Sequence, residues 1–128
     1  TYIETLAKWC KVILIGGEIR VENQDLCGPI AEKTLMMFHV GKAFLGTNAV
    51  SLERGFMATD ERTSKINELA VKQADKVYVL ADSEKFQKSS FISYAPLDAV
   101  DAIFTDNGID RETVDAFTRA GAHIEVVT

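Results

Sequence analysis

The chain has 128 residues, 47% of them hydrophobic and 26% charged, with a formal net charge of −5. That length fits one soluble globular domain with a sizeable core, and no apolar run is long enough to cross a bilayer or to serve as a secretory signal. An excess of acids with no basic run excludes a self-sufficient nucleic-acid binder, because holding DNA at physiological salt needs a cationic face.

The pattern over residues 2–10 predicts a short helix, since Ile3, Leu6, Ala7 and Cys10 share a face at helical spacing. Lys11–Ile15 reads as a continuous apolar strand closed by Gly16-Gly17. Gly28-Pro29 opens a helix reaching about His39, with the proline suited to its first turn. Lys42–Leu45 reads as a second strand, followed by Gly46-Thr47-Asn48-Ala49. Leu52 to Ala58 reads as a loop. Thr59 or Asp60 then caps a helix through Ala74. Lys76–Ala81 is a third strand, and Phe91–Tyr94 forms a short one before Pro96. Val100–Thr105 is another strand, with a turn at Asp106-Asn107-Gly108. A helix from Asp110 or Arg111 to about Ala120 is closed by Gly121, and Ile124–Val127 is the last strand.

Strands alternating with helices require crossover connections, which predicts an α/β domain with a parallel sheet and helices on both faces. The unbroken apolar runs Val12–Ile15 and Val77–Ala81 agree, because strands covered on both sides do not alternate. Residues 1–128 then form one domain. The opening Thr1-Tyr2-Ile3-Glu4 reads as a cut, so the chain is expected to be a piece of a longer protein.

In open α/β sheets, ligands sit beyond the carboxyl ends of the strands. Three strands end in small or polar residues: Gly16-Gly17-Glu18-Ile19-Arg20, Gly46-Thr47-Asn48-Ala49 and Asp82-Ser83-Glu84-Lys85. Glycines let a ligand approach the backbone, and a lysine at a strand end is a mobile point charge suited to an anion such as phosphate. Plainer roles stand beside these. Lys85 could be a solvated lysine at a helix start, Asp82 an N-cap, and Arg20 a surface charge paired with Glu18 or Glu22. His39 and His123 lie far apart, and Cys10 and Cys27 form no metal-ligand pattern, so they read as reduced thiols in a cytoplasmic protein. Ser83 lacks the glycines of a nucleophile elbow. No dinucleotide fingerprint or Walker lysine occurs. No cofactor, metal or catalytic residue is expected.

The ordered motifs Gly16-Gly17-x-x-Arg20, Gly28-Pro29-x-Ala31-Glu32, Ala43-Phe44-Leu45-Gly46-Thr47-Asn48, Gly55-Phe56-x-x-Thr59-Asp60, Leu80-Ala81-Asp82-Ser83-x-Lys85-Phe86 and Thr105-Asp106 together resemble the C-terminal effector domain of DeoR-family transcriptional regulators. The likeness covers nearly the whole chain, and the Gly-Thr-Asn spelling is most similar to repressors of lactose, tagatose-type and fructose phosphotransferase operons. The resemblance implies a sugar-phosphate sensor of a repressor, similar in fold to ribose-5-phosphate isomerase and CoA-transferase-like domains and truncated at its N-terminal side. Operator DNA would be bound by a helix-turn-helix outside this chain, and the protein would be a homo-oligomer.

By the same resemblance Lys85 would hold the phosphate and Asp82 would orient it. Gly46, Thr47 and Asn48 would line the sugar, with Gly17 and Arg20 at the border. The family's Asp-x-Gly-Thr-Thr turn is not in the sequence, which implies weaker ligand binding. Where the isomerase has carboxylates, this chain has Asn48, and an amide cannot abstract a proton. Glu53, Asp60 and Glu61 could still supply a base, so an isomerase-like enzyme is the alternative expectation.

Overall fold

The computed structural model describes residues 2–128, and its elements alternate much as the sequence predicts. In chain order they are α1 (Tyr2–Ala7), β1 (Glu18–Arg20), β2 (Asp25–Cys27), α2 (Pro29–Met36), β3 (Val40–Gly46), β4 (Ala49–Ser51), β5 (Gly55–Ala58), α3 (Glu61–Gln73), β6 (Ala74–Leu80), a 3-10 turn (Ser83–Lys85), β7 (Ile92–Ala95), a second 3-10 turn (Leu97–Ala99), β8 (Ala102–Asp106), α4 (Arg111–Arg119) and β9 (Ile124–Val127).

A four-stranded parallel sheet in the order β3-β6-β8-β9 forms the spine. This is the α/β class with a parallel sheet that the sequence predicts. Each step from β3 to β6 to β8 to β9 moves the same way along the sheet. Right-handed crossovers that all step one way place their connections on one face. That face carries Leu45, Val77, Val79, Ile103 and Ile124, packed with Phe117 of α4 and Val71 of α3. Phe117 is fully buried, edge-on to Phe86 at 5.2 Å between ring centres.

Among the described residues nothing covers the opposite face, where helices on both sides were expected. Phe44, Tyr78 and Phe104 form an aromatic ladder across three strands, with ring centres 5.3 and 5.9 Å apart. Phe44 is 61% exposed and Leu80 53%. The unbroken apolar composition of β6 thus signals two apolar faces, of which the described residues cover one.

Two further expectations are corrected. Lys11–Ile15 is not a strand, and Ile13 and Leu14 are mostly exposed. A strand exists only through ladder hydrogen bonds to a neighbour, and this segment finds none among the described residues. Leu52–Ala58 is not all loop. After a turn at Leu52–Arg54, Gly55–Ala58 is a fully buried strand in a small antiparallel sheet, β4-β5-β7. Gly55 has φ +73°, and a Cβ there would lie 2.3 Å from the Ala95 carbonyl oxygen, so only glycine fits. The hairpin formed by β1 and β2 is likewise absent from the sequence reading.

Candidate functional site

The carboxyl ends of the parallel strands gather several of the predicted residues. Gly46 at the end of β3 is register partner of Leu80 at the end of β6. Leu80 in turn pairs with Phe104 of β8. The segments beginning at Thr47, Ala81 and Asn107 therefore leave the sheet from adjacent strands. Phe86 also bridges Val50 in parallel, which sets the Asp82–Lys85 turn alongside β4.

A polar cleft of about 460 Å³ opens at the end of β3, lined by Asn23, Asp25, Gly46, Thr47, Asn48, Thr59, Thr63 and Asn67. Its base is fixed by hydrogen bonds. Thr47 Oγ1 donates within reach of the carbonyls of Ala49 and Met57, both at 3.1 Å. The Thr59 amide donates to Asn48 Oδ1 at 3.2 Å, and the Asn48 amide donates to the Met57 carbonyl at 3.1 Å. Tyr94 Oη donates to the Gly46 carbonyl at 3.2 Å. Burial pushes the Tyr94 hydroxyl up, opposed by its hydrogen bond with Thr47, so it remains a neutral donor at physiological pH.

Behind the cleft, a recess of about 180 Å³ is lined by Arg20, Asp25, Thr63 and Asn67 among others. Arg20 is not a free anion ligand here. Its Nε donates to Asp25 Oδ1 at 2.8 Å and one terminal nitrogen donates to Asp60 Oδ1 at 2.8 Å. The other terminal nitrogen reaches Asp25 Oδ2 and, at 2.7 Å, Thr63 Oγ1. The bidentate bond to Asp25, joined by the one to Asp60, locks the guanidinium in its charged form. Its partners are therefore Asp25 and Asp60, not Glu18 or Glu22. Asp60 also caps α3, accepting from the amides of Arg62 and Thr63, each at 3.0 Å. Burial tends to raise the Asp60 carboxyl, but the bonds from Thr63 and Arg20 outweigh it and hold it at about 2. A second bond, from Arg62 to Glu18 at 2.7 Å, also ties the β1–β2 hairpin to α3.

Of the remaining predicted residues, Gly17 is outside the cleft lining. Its φ is +152°, and a Cβ would come within 2.7 Å of the Cys27 carbonyl and 2.9 Å of the Ala31 Cβ, so it allows close packing. Asp82 and Lys85 lie on the 3-10 turn after β6, not among the cleft-lining residues. Asp82 caps that turn through the Glu84 amide at 3.0 Å. Lys85 is half-buried as a residue, and its ammonium has no hydrogen bond or ion pair among the described residues. Asp106, not assigned from the sequence, buttresses the turn by accepting from the Ser83 amide at 2.7 Å and the Gly108 amide at 2.8 Å. Bonds from the Ser83 amide and hydroxyl, then from Gly108, hold its carboxyl below the ordinary range.

Asn23, Asp25, Thr59, Thr63 and Asn67 of the cleft were also missed. The available signal is the spacing of Thr63 and Asn67, four apart on a helix whose Asp60 cap is legible in the sequence. A larger hollow of about 560 Å³, lined by Leu52–Gly55 and Ser93–Asp98, lies at the β4–β5 turn, away from the strand ends. Among the described residues no group of His, Cys, Asp and Glu is placed to hold a metal ion, and no helix is long and apolar enough to cross a membrane.

Comparison with known proteins adds to this geometry. The model of the DeoR C-terminal sensor domain matches residues 2–107, most of the chain. The chain belongs to that family. Relatives of this DeoR sensor domain include the HTH-type transcriptional regulator GlpR of Haloferax volcanii, 33% identical over 89% of the chain and 45% of the relative. The HTH-type transcriptional repressor GlcR of Bacillus subtilis is 30% identical over 91% of the chain and 45% of the relative. The transcriptional repressor AccR of Agrobacterium fabrum is 32% identical over 73% and 37% respectively. The DeoR sensor domain here thus spans under half the length of the curated relatives it matches.

Proposed function

We propose that this DeoR sensor domain binds a phosphorylated sugar at the carboxyl ends of β3 and β6 and thereby adjusts operator binding by a helix-turn-helix outside the chain, in a homo-oligomeric repressor. The observation that carries the reading is the Lys85 ammonium, without a hydrogen bond or ion pair among the described residues, on the turn that leaves β6, whose end pairs with the end of β3 where the polar cleft opens. An ammonium at this position is suited to a phosphate. Asp82 and Asp106 hold the turn that presents it. Gly46, where a Cβ would meet nothing within 4 Å, leaves room for the sugar, and Thr47 and Asn48 form the wall. Arg20 serves the site by holding its border.

Among the described residues the one carboxylate lining the cleft, Asp25, is engaged on both oxygens by Arg20. Asn48 offers an amide in place of a base. This favours recognition without turnover over an isomerase-like reaction. A signal needs the liganded and free states to differ in operator affinity, and about 5–150-fold is the usual range. Lys85→Ala is expected to abolish sugar-phosphate-dependent change in operator binding while leaving ligand-free operator binding intact. Unchanged response in that variant overturns the role of Lys85. Turnover of a sugar phosphate by the wild-type protein overturns the non-enzymatic reading.

A further inference from the structure

The cleft contains two side chains that neither the sequence nor the family assigns, and their chemistry identifies which part of a ligand it takes. Apart from the asparagine amides, most side chains in the lining already have close partners, Thr59 Oγ1 excepted, whose one contact among the described residues, to Asp60 Oδ2, is long at 3.5 Å. Thr63 Oγ1 is shared between Arg20 and Asp60 Oδ2. Thr47 Oγ1 is held by two carbonyls, and Asp25 by Arg20. By contrast, the side chains of Asn23, on the β1–β2 turn, and Asn67, on α3, have no hydrogen-bond partner among the described residues. Asn48 accepts through Oδ1 and retains its NH2 group.

Three amides from three separate elements therefore converge on a space with no uncommitted charge. With no free cation in its described lining, the cleft is a weaker seat for a phosphate than an ammonium such as Lys85, since the strongest anion contacts are charge-assisted. It suits hydroxyl groups, because an amide provides both a donor and an acceptor and a hydroxyl requires both. Discrimination comes chiefly from the half-buried Asn67, which an analogue lacking a hydroxyl leaves unpaired, and is smaller at the exposed Asn23 and Asn48, which water can satisfy.

We infer that Asn23, Asn48 and Asn67 form a hydroxyl-reading subsite for a neutral polyol or sugar moiety, and that Asn23 and Asn67 determine which sugar is accepted. This rests on the proposed sugar-phosphate reading and divides its labour: configuration is read in the cleft, and charge at Lys85.

The test titrates the full chain with glucose, galactose, mannose and fructose 6-phosphates and with the same sugars unphosphorylated, following melting temperature and calorimetric affinity. Asn67→Ala and Asn23→Ala are expected to weaken the preferred hexose phosphate roughly 5–10-fold, the loss of one hydrogen bond to a neutral group, and to narrow its preference over epimers. Lys85→Ala should weaken phosphorylated ligands without altering that preference. Asn67 lies on the partly open side of a helix and alanine favours helix, so ligand-free melting should be unchanged. Asn67→Asp, which keeps the shape, should also lose the preference. If sugar phosphates bind with the same affinity and preference in both alanine variants, the subsite is overturned while the phosphate reading survives. Free sugars that bind in an Asn67-dependent way with no gain from phosphate support the subsite and overturn the phosphate reading. If no sugar of either kind binds, both fall.

Discussion

Replacing Arg20 with methionine removes the guanidinium that joins the β1–β2 hairpin to the start of α3. Its side chain is 15% exposed, while Asp25 and Asp60 are each about a third exposed, at 36% and 32%. A fully exposed ion pair is worth about 0–1 kcal/mol, whereas breaking a buried one costs about 3–5 kcal/mol because a charge is left uncompensated. The clamp lies between these limits, with a charge-assisted bond to each of two carboxylates that would be left facing one another. The expected loss is about 2–3 kcal/mol. For a domain of this size that lowers the melting temperature by roughly 8–12 °C, measured by calorimetry or by circular dichroism at low salt. Arg20→Lys should recover less than half, since a single ammonium cannot reproduce the fork. A double-mutant cycle with Asp60→Asn should show strong coupling. A methionine variant within about 0.5 kcal/mol of the parent, in the range of an ordinary surface change, would refute the view that this clamp fixes the hairpin.

The Asp60 carboxyl, held at about 2 in the folded chain against 3.8 ordinarily, stabilises the fold above pH 4 and loses that contribution as the pH falls towards 2. Asp106, also held low by bonds from the Ser83 amide and hydroxyl, adds in the same direction; acid melts should show the decline, and a flat profile between pH 4 and 2 would contradict it. Phe117→Ala, emptying a fully buried site against Phe86, should cost about 3–5 kcal/mol by denaturant titration. Gly55→Ala should destabilise by more than the roughly 1 kcal/mol of backbone entropy that alanine would otherwise contribute, since its Cβ would strike the Ala95 carbonyl; a stabilised variant would show that β5 and β7 separate readily. Asp106→Asn should leave the fold largely intact but weaken any ligand held by Lys85, read as a change in affinity with little change in ligand-free melting.

The strands β6 and β8, the helices α3 and α4 and their caps were legible because each is specified locally: an apolar run, an aspartate at a helix start, a glycine at a helix end. What the sequence did not show depends on partners. Phe56-Met57-Ala58 has no alternation because both of its faces are buried, so it looked like connecting chain; its identity as a strand comes from Ala49–Ser51 and Ile92–Ala95. Lys11–Ile15 has a strand's composition and no ladder to join. The rule that ligands gather at strand ends located Gly46, Thr47 and Asn48 in the cleft and placed Lys85 on the neighbouring turn. It could not reveal that Arg20 is engaged by an aspartate forty residues away, or that Asn67 on the intervening helix faces the same space, because those contacts exist only after the chain has closed.

One atom links these arrangements. Asp60 Oδ1 receives both the Arg20 guanidinium and the first amides of α3, so the hairpin and the helix hold a set distance, like the jaws of a caliper locked on one screw. Asn23 sits on one jaw and Asn67 on the other. A gauge already set before a guest arrives does not have to be ordered on contact, and it can reject a molecule of the wrong outline simply by refusing to open.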